Sequence, residues 1–166
     1  MSLVLDGTAG ITFNNATTQA SAGKVLQVVN GTTTTAVGVN TTTPTDTGLT
    51  ATITPKFSTS KILVFVVQSA RYSRSTNEQG HALSLLRGST TIVSESDRYG
   101  GYIYSNTTTS IDAAVQTPII YLDSPATTSA TTYKTQGRPL STANSGTVAY
   151  QSESQISTIT LMEIAA

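Results

Sequence analysis

GLTATITPKFSTSKILVFVVQSA, residues 48–70, decides the fold. The segment opens with strict alternation: Leu49, Ala51 and Ile53 point one way, and Thr50, Thr52 and Thr54 the other. Period two is the signature of a strand with one buried face. Pro55 ends that strand, because proline cannot donate to a ladder, and Ser58-Thr59-Ser60 reads as a polar turn. Ile62-Leu63-Val64-Phe65-Val66-Val67 follows, apolar on both faces and rich in β-branched residues. Such a strand needs cover on both sides, either at the centre of a sandwich or in an oligomer core.

The surrounding composition agrees. Only 11% of the 166 residues are charged, and the chain is dense in Thr, Ser and Gly, which favours strands and turns over solvated helices. A formal net charge of zero offers nothing for electrostatic capture of nucleic acid or acidic lipid. With no cysteine, disulfides and thiolate metal sites are excluded. The opening MSLVLDG lacks the basic and long apolar regions of a secretory signal, and no apolar run approaches the roughly 20 residues of a membrane span. The expectation is a protein made in a cytoplasm and used as an oligomer or an assembled particle.

Further strands are expected at Lys24–Asn30, His81–Leu86, Thr90–Ser94, Ser110–Leu122, Thr131–Gln136, Thr147–Gln151 and Ile156–Ile164, at spacings of roughly ten residues. Asn30-Gly31 reads as a hairpin turn, Arg87-Gly88-Ser89 as another, and Pro118 as the mark of an edge or a bulge. Arg71–Gly80 and Glu95–Asn106 read as long exposed loops. The expected fold is all-β: an antiparallel β-sandwich, of jelly-roll or barrel kind, with about eight strands. Residues 24–166 form the sandwich. Residues 1–23 form a short extended arm, because Val4, Leu5, Ile11 and Phe13 are split by turn signals and have no core of their own.

Chemical motifs are scarce. His81 is a lone histidine, and no His, Asp and Glu cluster has ligand spacing, so neither metal nor cofactor is expected. No nucleophile elbow or phosphate loop occurs. Glu95 and Asp97 could share a strand face as a glycosidase pair, but they sit in a Ser-rich turn region where solvated carboxylates are the default. Asn15, Asn30, Asn40 and Asn106 fit the glycosylation pattern, read as chance in a Thr-rich chain. The richest surface candidate is Arg98, Tyr99, Tyr102 and Tyr104, which suits sugar rings or protein partners, or else packs on the sandwich or at an oligomer axis. Arg71, Tyr72 and Arg74 form a second candidate. Phe65, Val66, Ile159, Leu161, Met162 and Ile164 are candidates for the core or a subunit interface.

Two stretches carry a resemblance. Gly10-Ile11-Thr12-Phe13 followed by Ala16-Thr17-Thr18-Gln19 resembles a GITF…TTQ segment that recurs in tail-fibre and other virion proteins of bacteriophages, marine cyanophage-like ones especially. Asn14-Asn15-Ala16 stands where that pattern usually has Asp-Gly. Residues 121–128, 132–134 and 157–164 resemble the C-terminal heads of phage fibres, which are similar to trimeric jelly rolls of the tumour-necrosis-factor type. The resemblance implies a non-enzymatic virion protein: a homotrimeric tail-fibre or appendage head, anchored by the arm to other virion proteins and touching a host-surface glycan or protein. It equally allows a trimeric capsid decoration protein. A glycan depolymerase is the third class, against which the scarce carboxylates argue.

Overall fold

A computed structural model describes residues 4–6, 10–12, 18–19, 24–76, 78–96, 98–104 and 108–165. In chain order the strands are β1 (Val4–Asp6), β2 (Gly10–Thr12), β3 (Thr18–Gln19), β4 (Val25–Thr33), β5 (Val37–Val39), β6 (Thr45–Ile53), β7 (Lys61–Arg74), β8 (Gln79–Arg87), β9 (Thr90–Ser94), β10 (Tyr102–Ile103), β11 (Ile111–Asp123), β12 (Thr131–Pro139), β13 (Thr147–Tyr150) and β14 (Ser157–Ile164). Among the described residues, β1, β2 and β3 pair only with one another.

The other eleven strands form two antiparallel sheets. One runs β10-β8-β12-β6, with β9 also on β8; the other runs β4-β14-β7-β13-β5, with β11 on the far side of β7. The eight principal strands, β4-β14-β7-β11 against β6-β12-β8-β9, have the strand count of a jelly roll and its repeated crossing between sheets. The excess over the expected eight is β5, β10 and β13, each of four residues or fewer.

The alternation read from the sequence holds. Leu49, Ala51 and Ile53 are buried and Thr50 and Thr52 exposed. On β7, Ile62, Val64 and Val66 face the core. β7 is central in its sheet, between β11 and the in-line pair β14 and β13. β11 has only β7 as a partner, so Pro118 sits on an edge strand, where its missing N–H costs least. The Arg87-Gly88-Ser89 turn joins β8 to β9, with Gly88 at φ +59°.

Two expectations are corrected. Asn30 and Gly31 are not a hairpin turn; they lie inside β4. Glycine is required there because a Cβ at Gly31 would sit 2.2 Å from the Thr50 carbonyl, where β4 crosses close to β6. Likewise Arg71–Arg74 belongs to β7 and not to a loop, since the in-out alternation continues through Ala70 and Tyr72. The bonds that tie the sheets together include a buried polar knot. Gln68 Oε1 accepts from Thr47 at 3.1 Å and Thr135 at 2.8 Å, and Gln68 Nε2 donates to Ser157 Oγ at 3.0 Å. At the same end as Lys61, Arg87 Nη1 donates to both Asp123 carboxylate oxygens at 2.8 and 2.9 Å, and Tyr133 donates to Asp123 Oδ2 at 2.7 Å.

Candidate recognition and assembly surfaces

The two long loops meet at one end of the sandwich. β10 pairs with the start of β8, Tyr102 opposite Gly80 and Ile103 opposite Gln79. Gln79 is fully buried, and its amide ties the strand ends together by donating to Ser73 O at 3.2 Å and Ser141 O at 3.0 Å. Next to it, Glu78 organises the surface. Arg98 Nη2 bonds both Glu78 oxygens at 3.2 and 3.3 Å, and Tyr102 donates its hydroxyl to Glu78 Oε2. The Arg98 guanidinium lies 5.0 Å from the Tyr102 ring centroid, a cation–π contact. Glu78's bond to Tyr102, with some desolvation, pushes the phenol's pKa up. Arg74 completes the scaffold through Glu78 O at 2.7 Å and Ala143 O at 3.1 Å.

His81 pins the second loop from below. It is fully buried between the rings of Tyr72 and Tyr150, at centroid distances of 5.9 and 5.8 Å. Its backbone N–H donates to Gly101 O at 3.0 Å. Thr117 Oγ1 donates to Gly100 O and lies 3.1 Å from His81 Nε2. With that hydroxyl proton spent on Gly100, the geometry assigns the imidazole proton to Nε2. Burial drives the imidazole pKa down to about 4, so the ring is neutral near pH 7. A Cβ at Gly100 would fall 2.5 Å from His81 O, so only glycine fits.

Above this base, Tyr99 is 83% and Tyr104 69% exposed. Of the sequence candidates, therefore, Tyr99 and Tyr104 are presented and Arg98 and Tyr102 hold the platform. Strand β10 ends at Ile103, so Tyr104 lies just beyond it. Tyr72 is corrected outright: it is 3% exposed and packs in the core, because its position in β7 has the inward parity. Arg71 faces out from β7, paired with Asp112 through Nε at 2.7 Å and with Glu153 through Nη1. These three line a shallow groove of about 500 Å³ with Gln116 and Gln155. The bond from Asp112 is the main cause that raises the guanidinium's pKa, and Asp112 is itself held below the usual carboxylate range by Arg71. Glu78 and the His81 peg were not among the sequence candidates; only their places, Glu78 inside the first loop and His81 directly after it, hinted at them. Asp97 lies outside the described residues, so the Glu95–Asp97 pairing has no structural account.

The second surface is the outer face of the six-stranded sheet. Strand parity splits the interface candidates: Val66, Ile159 and Leu161 are 0–1% exposed and belong to the core. Phe65, Met162 and Ile164 point outward with Leu63 and Val67. The ladders align them in rows. Val28, Met162, Leu63 and Leu122 stand side by side across β4, β14, β7 and β11. Thr160, Phe65 and Ile120 form the next row. Val28 is 56%, Leu122 49% and Ile120 68% exposed. Side by side, these residues form a contiguous apolar face. On the edge strand β11, Ile120, Tyr121 and Leu122 are consecutive and all exposed, so both faces of that edge are apolar. Val4, Leu5 and Ile11 lie on β1 and β2, and Phe13 lies outside the described residues.

No protein-family model matches the chain, and no curated protein does. Its fold is similar to a chain in a solved structure described as "Structure of infectious bursal disease virus Gx strain", at 10% identity and a TM-score of 0.40. The match covers 99% of this chain and 44% of that one, so this chain spans under half of that neighbour's length.

Proposed function

We propose that this protein is a non-enzymatic structural component of a bacteriophage particle: a homotrimeric jelly-roll head of a tail fibre or appendage, touching the host surface through its loop end. The observation that carries it is the apolar outer face of the six-stranded sheet. Among the described residues of one chain nothing covers this face, although the strands that form it are apolar on both sides. The exposed edge of β11 ends the rows centred on Leu63 and Phe65 with Leu122 and Ile120 and carries Tyr121 on its opposite side. Edge-onto-face contact between copies is heterologous, and such a contact gives a ring when its rotation closes. The phage-like segments at residues 10–19 and 121–164 favour a ring of three. The arm, residues 1–23, then serves as the anchor to other virion proteins. The loop end, with Tyr99 and Tyr104 presented on a rigid base, serves as the contact surface for a glycan or protein.

Mass measurement by light scattering at micromolar concentration tests the oligomer: a trimer is expected, and a stable folded monomer overturns it. Electron microscopy of particles tests the place. Density at the tail supports the appendage reading, and density on the capsid shell replaces it with a decoration protein.

A further inference from the structure

The Lys61 end of the sandwich carries a patch that the apolar face does not absorb. Glu163 is fully buried on β14, opposite Gln27 of β4 and Ile62 of β7. A buried carboxylate must be bonded to persist. Its Oε1 accepts the Lys56 backbone N–H at 2.7 Å and its Oε2 accepts Gln27 Nε2 at 2.6 Å. Burial pushes this carboxyl's pKa up, but the bonds from Gln27 and from the Lys56 and Phe57 backbone outweigh burial and hold it low. Gln27 Nε2 also donates to Thr54 O at 2.7 Å, and Ser60 N closes the turn onto Phe57 O at 3.1 Å. A buried charge thus fixes the 55–60 turn from beneath.

That fixed turn holds Phe57 out into solvent, 56% exposed. Three exposed lysines lie at the same end of the sandwich: Lys56 in the turn, Lys61 at the start of β7, and Lys24 just before β4. Val25, Ile164 and Lys61 lie side by side across three strands, and Ala165 N bonds Lys24 O at 2.9 Å. Among the described residues none of the three lysines has an ion-pair partner. The nearby acid, Asp123, is taken by Arg87, and Glu163 is sealed beneath the turn.

We propose that Phe57 and the lysines Lys24, Lys56 and Lys61 form a docking surface for an acidic face of another protein of the particle, with Phe57 entering an apolar pocket. The inference rests on the virion reading above. An aromatic side chain held on a rigid turn loses little freedom on binding, which is the character of an interface anchor. The lysines supply steering and a salt-dependent rim. A trimer places three copies of this patch at one end, where like charges call for an anionic counter-surface. A second copy of the chain is a poor occupant. Its acidic groove at Asp112 and Glu153 is already paired to Arg71 and lies at the other end of the same sheet.

The test adds purified full-length protein back to particles produced without it and measures occupancy by pelleting at two salt concentrations. Phe57→Ser should need at least tenfold more protein to reach half occupancy. The triple variant Lys24→Glu, Lys56→Glu, Lys61→Glu should lose occupancy and its salt dependence. Lys134→Glu, a charge change on the other sheet, should leave docking unchanged. Melting curves confirm folding, and Phe57→Ser alone decides the matter if the triple variant does not fold. Normal occupancy by Phe57→Ser overturns this inference and leaves the virion reading standing. Equal affinity of the wild type for duplex DNA or phosphatidylserine vesicles at the same salt also overturns it, since that is generic polyanion binding. Absence of the protein from native particles by mass spectrometry overturns the virion reading, and this inference with it.

Discussion

Phe65 and Ile120 stand directly opposite each other on β7 and β11, and both side chains face away from the core, while Val66, the next residue on β7, is 1% exposed. One step along the strand therefore separates a core residue from a surface one. Phe65→Asp should leave a folded chain with near-normal melting and convert the oligomer to monomer. Val66→Asp should place an unpaired charge in the core and cost several kcal/mol, about 3–5. Sedimentation velocity with thermal melting separates the two. A soluble, normally melting Val66→Asp trimer would show that the face assignment is reversed.

Tyr99 and Tyr102 should part company at the loop end. Tyr99→Ala removes an exposed ring and should weaken a single-site contact by ~2 kcal/mol, roughly thirtyfold, with melting unchanged. Avidity across three copies would magnify the loss in particle adsorption. Tyr102→Phe removes the bond to Glu78 and should instead loosen residues 98–104, seen as faster amide exchange there, with a smaller loss of adsorption. Unchanged adsorption by Tyr99→Ala removes this loop from the contact surface.

His81 predicts a pH window. Its folded pKa, about 4, lies below the ordinary 6.5, so the unfolded chain binds the proton first. Stability is then full above pH 6.5 and is lost as pH falls towards 4, by about 3 kcal/mol at roughly 1.4 kcal/mol per unit. The lowered carboxyls Asp46, Asp112 and Glu163 shed their stabilisation only at lower pH, below their ordinary values. Glu95, raised by burial, works in the opposite sense, losing stability as pH rises. Denaturant midpoints between pH 7 and 4.5 should fall less for His81→Gln than for the wild type. Parallel curves would rule out the histidine.

Tyr133 and Asp123 make the clearest stability test of a buried hydrogen bond. Tyr133 is fully buried and its hydroxyl bonds a carboxylate, with burial first and Asp123 second in raising the phenol's pKa. Tyr133→Phe should cost about 1–3 kcal/mol in equilibrium unfolding. A change within error would mean that the Arg87 bonds alone satisfy Asp123.

Deleting residues 1–22 should leave a folded trimer that no longer enters particles. The check is mass measurement of the truncated protein beside its copy number in purified virions. Normal copy number would place docking wholly in the head.

Local chemistry made much of this fold readable. Period-two alternation at residues 49–53, the doubly apolar run at 62–67, Pro118 and the Arg87-Gly88-Ser89 turn each report a constraint acting within a few residues. They gave the all-β class, the central strand and the edge strand. Where the reading failed, a distant partner was in control. Gly31 looks like a turn residue, but its need for glycine comes from the Thr50 carbonyl on another strand. Tyr72 looks like loop decoration because its polar neighbours, Arg71, Ser73 and Arg74, satisfy themselves against Asp112, Thr147 and Ala143.

The candidate sites divide the same way. Composition alone marked Tyr99, Tyr102 and Tyr104 and the apolar strands as the surfaces to examine. Only the tertiary structure decided that the two loops share one end, because strand order sets which loops meet, and strand order depends on pairings between residues far apart in sequence. Only the register of β14 against β4 and β7 decided that Met162 and Ile164 face solvent while Ile159 and Leu161 fill the core. A strand apolar on both faces carries no signal of which face turns inward; the opposing sheet supplies it.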